Sequence, residues 1–135
     1  MSTDYIEVAR AFEACDIDVS AFGHTDHVGV AYEMLRTYDF LDASLKYSEC
    51  INTLATRAGA GQKFNLTITL AFLSLIAERM NATRHDSFET FIQQNQDLLS
   101  ADLLAKWYSP ERLRSDLARD VFLMPDAGAS QSAQS

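Results

Sequence analysis

Apolar residues recur along most of this chain at intervals of three and four, the spacing that gathers side chains on one face of an α-helix. Tyr5, Val8, Ala9 and Phe12 form the first such stripe, with Asp4 and Glu7 in the arrangement of a capping box. A helix is therefore expected to begin there and to end near Cys15. After a connector, Val28, Ala31, Met34 and Leu35 predict a second helix from about residues 23–25 to Thr37. Asp39 is placed to cap a third, in which Leu41, Leu45, Ile51 and Leu54 recur at roughly helical intervals. That helix should stop at Ala58-Gly59-Ala60-Gly61, where glycine frees the backbone to turn.

Residues 65–81 differ from the rest. Leu66, Ile68, Leu70, Ala71, Phe72, Leu73, Leu75, Ile76, Ala77 and Met80 put apolar side chains on nearly every face of a helix. Such a helix is expected at the centre of a domain, with the others wrapped around it. Its polar residues Thr67, Ser74 and Glu78, at spacings of seven and four, make one narrow stripe. Buried without a partner, Glu78 would have a raised pKa and serve as a general base. Pairing with Arg36, Arg57 or Arg79, or a place at the frayed helix end, is the preferred reading.

Downstream, Phe88, Phe91 and Ile92 give a shorter amphipathic helix over about residues 86–94, and residues 98–107 predict another, entered through Ser100. Ser109-Pro110-Glu111 is a strong helix start, with serine at the cap and proline where no donor is needed. The helix it opens should carry Leu113 and Leu117 inward. Val121-Phe122-Leu123-Met124-Pro125 reads as an extended apolar segment lying across the bundle, and residues 126–135, all small or polar, as a disordered tail. There is neither an internal repeat nor strand alternation of useful length. The expected fold is all-α: a compact multi-helix bundle around one central apolar helix, residues 65–81, in a single domain covering residues 1–125.

Composition narrows the partners. With Lys+Arg 11 and Asp+Glu 19, the net charge of −8 repels nucleic acid and anionic membranes unless a basic patch overrides it. Arg112, Arg114 and Arg119 are interleaved with Glu111, Asp116 and Asp120, so they make no such patch. Neither nucleic acid nor membrane is expected as a partner. Residues 66–80 are too short to span a bilayer and carry Thr67, Thr69, Ser74, Glu78 and Arg79. Cys15 and Cys50 alone make no disulfide framework, and five acidic residues within the first twenty do not suit a signal peptide. A cytoplasmic location is expected.

One cluster suggests chemistry: Phe22-Gly23-His24-Thr25-Asp26-His27-Val28. Histidines three apart share a helical face, so both imidazoles can converge on one ion or substrate, and a helix start adds free backbone donors suited to an anion. Two histidines fall short of a zinc site, and no Glu-x-x-His repeat of the di-iron type occurs. No metal or cofactor is therefore assigned, and a helix cap with an interhelical hydrogen bond is the plainer role. His85, between Arg84 and Asp86, reads as solvated, and Trp107-Tyr108 as a core or helix-end plug. Gly59-Ala60-Gly61-Gln62-Lys63 follows a helix and lacks the ending of a phosphate loop.

The sequence Phe22-x-His24-x-Asp26-His27-Val28, followed by Ala31-Tyr32 and Leu35-Arg36, resembles the opening motif of a family of small uncharacterised bacterial all-helical proteins. That family's second motif, K-Y-H-E-T-I-T, is similar to Lys63-Phe64-Asn65-Leu66-Thr67-Ile68-Thr69, and its apolar helix ends like Leu75-Ile76-Ala77-Glu78-Arg79-Met80. Asn95-x-Asp97-Leu98-Leu99 and Tyr108-Ser109-Pro110-Glu111 extend the likeness, which spans about residues 22–126. Here Asn65 stands where the motif has histidine, and Leu66 where it has glutamate. If the family uses three histidines together, this chain keeps two, and asparagine is a poor transition-metal ligand.

The function expected from all this is a ligand-binding or protein-interaction module, with His24, His27, Tyr32, Asn65, Thr67, Ser74 and Glu78 as candidate ligand-binding residues. A small molecule and a second copy of the chain are the expected partners. The alternative is an enzyme or metal-binding protein using His24 and His27 with Asn65 or Glu78. An accessory subunit of a larger assembly is a third reading.

Overall fold

The computed structural model describes residues 3–127, and among these it contains seven α-helices and no strand. They are α1 (Tyr5–Glu13), α2 (His24–Thr37), α3 (Phe40–Arg57), α4 (Leu66–Ala82), α5 (Phe88–Gln94), α6 (Pro110–Leu113) and α7 (Asp116–Asp120). The all-α compact bundle is thus as expected. Side-chain caps set most of the helix starts. Asp4 accepts from the Ile6 amide, Asp39 from Asp42, Asn65 from Ile68, Ser87 from Thr90 and Ser109 from Arg112. These contacts satisfy amides that have no partner within their own helix. Just past α1, Cys15 takes a left-handed backbone (φ 56°), and its carbonyl accepts from Arg57 Nη1 at 2.8 Å.

The most enclosed helix is α2, which buries Val28, Gly29, Val30, Ala31, Tyr32 and Met34 against α1, α3, α4 and α5. The expected central segment, α4, packs between α2, α3 and α7 but fully buries only Thr67, Leu73 and Ile76. Its other apolar side chains are mostly half-buried because they wall hollows: Ile68 and Phe72 on one side, Ala71 and Leu75 on another. A helix apolar all round here marks a shared wall.

The inward stripe of α3 also differs from the expected one. Ala43, Tyr47, Cys50 and Leu54 face the core, whereas Leu41 and Leu45 are 81% and 58% exposed. Leu41 and Leu45 each precede an inward residue by two positions, which turns them about 200° around the helix. Ile51 stays half-buried at the edge of the stripe.

Residues 98–107 do not form the helix expected there. They form two 3-10 turns, Gln96–Leu99 and Leu103–Lys106, parted at Ser100, whose backbone is extended (φ −77°, ψ 134°). The Ser100 hydroxyl donates to the Asp102 carboxylate and stabilises that break. The last expected helix is likewise two short ones. Ser115 is extended (ψ 152°) and its hydroxyl accepts from the Ala118 amide, so the chain ends α6 and starts α7 afresh. Leu117 is consequently exposed.

Residues 121–125 cross the bundle as an extended strap, as expected. Thr67 Oγ1 donates to the Val121 carbonyl at 2.6 Å and accepts from the Leu123 amide at 3.0 Å. Tyr108 donates to the Leu123 carbonyl (2.8 Å) and Arg112 Nε to that of Met124 (2.6 Å). Asp126 and Ala127, expected in the tail, are bound to the fold. Asp126 accepts from the Ser109 amide and hydroxyl, each at 2.7 Å, and both backbone amides reach the Trp107 carbonyl at 3.1 Å. The rest of the expected tail, residues 128–135, lies outside the described residues.

Candidate functional site

The start of α2 sets the positions of the two histidines. Asp26 Oδ2 accepts from the Gly23 amide at 2.8 Å, closing the first turn, while its Oδ1 accepts from the Tyr5 hydroxyl at 2.8 Å. The first turn of α2 is thereby tied to α1. His24 Nε2 donates to the Leu98 carbonyl at 3.0 Å, and its ring lies 5.4 Å from that of Phe72. One turn on, His27 Nδ1 shares a 3.4 Å hydrogen bond with the Tyr47 hydroxyl, and Phe22 packs edge-on against its ring. Burial, reinforced by the neighbouring His24, pushes the His27 pKa below its ordinary value, so the neutral imidazole is favoured at pH 7.

Both histidines border a cleft of about 840 Å³. Its walls include Tyr47, Ile51 and Ala55 of α3 and Ile68, Thr69 and Phe72 of α4, together with Leu103, Leu104 and Leu113. Asn65 lines it too, at the cap of α4. Asn65 Oδ1 accepts from the Ile68 amide (2.9 Å), and its Nδ2 donates to the Leu113 carbonyl (2.7 Å). Lys63, Arg114 and Asp102 are the other charged residues on the lining.

The seven candidate residues therefore separate. His24, His27 and Asn65 share the cleft. Ser74 and Glu78 border a different hollow of about 230 Å³ beside Trp107 and Phe122. Glu78 is exposed, and its neighbour Arg79 pairs with Asp97 instead, through contacts of 2.7 and 2.8 Å. Thr67 is fully buried and spends its hydroxyl on the 121–125 strap. Tyr32 is fully buried, and its hydroxyl meets His85 Nδ1 at 2.6 Å.

His85, expected in solvent, is half-buried. It also bonds the Met80 carbonyl through Nε2 at 3.1 Å and packs edge-on against Phe91. Aromatic neighbours from α2 and α5 enclose it, which a count of polar residues beside it in sequence does not reveal. Tyr47, Lys63 and Arg114 are cleft residues outside the seven candidates. Tyr47 sits on the true inward stripe of α3, and Lys63 lies two residues before Asn65.

Among the described residues no three His, Cys, Asp or Glu side chains are grouped so as to hold a metal ion. The chemistry the site offers is that of an apolar chamber with a neutral imidazole, a hydroxyl and two cationic side chains on its border. No helix among the described residues is long and apolar enough to cross a membrane. Comparison of the chain with family models, curated proteins and solved structures finds no match.

Proposed function

We propose that this protein binds a small molecule in the cleft between α3, α4 and the start of α2. The observation that carries this reading is the cleft itself: about 840 Å³, walled by apolar side chains and edged by a few polar ones. Ligand sites commonly have this size and make-up. A bound apolar body would cover side chains such as Ile68 that now stand partly in water. Three of the candidate residues, His24, His27 and Asn65, border this cleft. A thermal-shift screen of metabolites tests the proposal, followed by titration calorimetry of any hit. Ala55→Trp, which fills the cleft, should abolish binding. A hit that binds the filled variant with unchanged affinity would show that the ligand sits elsewhere.

A second reading is acid–base catalysis, favoured by one observation: His27 is held neutral beside the Tyr47 hydroxyl on the wall of the cleft. It predicts turnover of a cleft ligand that His27→Gln removes while binding persists. Binding without turnover leaves only the first reading.

A further inference from the structure

The cations on the cleft border define the chemistry of its occupant. Most basic side chains of this acidic protein are engaged. Arg10 pairs with Glu7, Arg36 with Glu33, and Arg79 and Lys106 with Asp97. Arg57 and Arg112 bond backbone carbonyls, and Lys46 lies over the ring of Tyr38. Lys63, Arg84, Arg114 and Arg119 have no such partner among the described residues, and of these four Lys63 and Arg114 border the apolar cleft. The single carboxylate on the same lining, Asp102, accepts from the Ser100 hydroxyl.

The fold also brings together the segments that carry those two cations. Asn65 Nδ2 bonds the Leu113 carbonyl at 2.7 Å, which joins the Lys63-Phe64-Asn65 segment to the end of α6, where Arg114 follows. The polar border at His24 lies about two helical turns away. Phe72, against which His24 packs, lies seven residues beyond Asn65, or about 10 Å along α4 at the usual rise. Between them the wall is mostly apolar, formed by Ile51, Ala55 and Ile68, with Thr69 turning its hydroxyl to the Asn65 carbonyl at 2.8 Å.

Resting on the cleft as a ligand site, we infer that its ligand is an amphipathic carboxylate, its anionic group held between Lys63 and Arg114 and its apolar body lying along α3 and α4 toward His24. The net charge of −8 repels anions at long range, so affinity for one must come from these local cations.

Calorimetric titration with decanoate and with decan-1-ol, below the concentrations at which either aggregates, separates the charge from the apolar chain. Decanoate should bind at least tenfold more tightly than decan-1-ol, and added salt should narrow that gap. The double variant Lys63→Gln/Arg114→Gln should weaken decanoate at least tenfold and leave decan-1-ol unchanged. Both side chains are exposed, so the variant should melt like the parent, which circular dichroism checks. Equal affinity for acid and alcohol in the parent would overturn the anionic assignment while leaving the cleft as a binding site. Unchanged decanoate affinity in the double variant would overturn the role of the two cations. Failure of both probes to bind the parent, with metabolites of other chemistry binding and Ala55→Trp blocking them, would overturn the ligand class alone. Failure of every compound would remove the cleft reading with it.

Discussion

The ring of Tyr5 lies flat against the bare Cα of Gly29: a β-carbon built on Gly29 would stand 2.6 Å from three ring atoms. The ring has little room to retreat, because its hydroxyl is bonded to Asp26 and it packs in a T shape with Phe88 at 5.0 Å. Gly29→Ala would gain about 1 kcal/mol of helix propensity. Overpacking of this kind costs about 1–3 kcal/mol, so the net change should be destabilising. Urea unfolding of the variant checks the sign. A more stable variant would show that α1 shifts freely on α2.

Asn65 should divide into two separable roles. Asn65→Asp keeps an acceptor for the Ile68 amide and so keeps the cap, but it sets a carboxylate against the Leu113 carbonyl. Asn65→Ala loses both contacts. The alanine variant should lose about 1–2 kcal/mol from the cap alone. The aspartate variant should retain the helix yet loosen the end of α6, seen as faster amide exchange around Leu113. Equal loss of protection in the first turn of α4 in the two variants would contradict the division.

Thr67→Val should release the strap. The substitution preserves shape but deprives the Val121 carbonyl and the Leu123 amide of their partner. A buried polar group left unpaired costs about 1–3 kcal/mol. Val121 is 45% exposed and water can reach it, so the lower part of that range is expected. The measurement is the Tm, together with the susceptibility of residues 121–127 to protease.

His27 should make the fold acid-sensitive. Its folded pKa lies below the ordinary value of 6.5 through burial first and His24 second, with Asp26 opposing. A histidine of this kind binds more protons unfolded than folded, so its contribution to stability is complete above about pH 6.5. It is lost as pH falls through the folded pKa. His24, Asp26 and Tyr47 are the polar groups facing it. Denaturation midpoints of the parent and of His27→Gln, taken from pH 7.5 to 5, should fall more steeply in the parent. Parallel curves would rule out this source.

The helix starts were legible because each depends on a few adjacent residues. Asp4, Asp39 and Ser109, read as helix starts, act on amides two or three positions away, a relationship wholly contained in the local sequence; Asn65 and Ser87 cap in the same way but were not read as caps. The breaks at Ser100 and Ser115 are local too, but there the hydroxyls of serine compete with a helix that the apolar pattern also favours. The pair His24 and His27 was visible from its spacing; Asn65 was set beside it only through the motif resemblance, and the cleft that all three border is a product of the fold.

What the chain determined by itself is the class of fold, the caps and the strap at residues 121–125: periodicity, capping side chains and a proline act over a handful of residues. Tertiary packing decided which helix is deepest, which face of α3 turns inward and which polar residues share a cavity. Apolar pattern measures how much a helix wants to leave water, but whether neighbours or a cleft meet that surface depends on the distances between elements far apart in sequence. Ile68 and Leu73 are alike in the pattern of α4; Ile68 borders the cleft and Leu73 is sealed in the core.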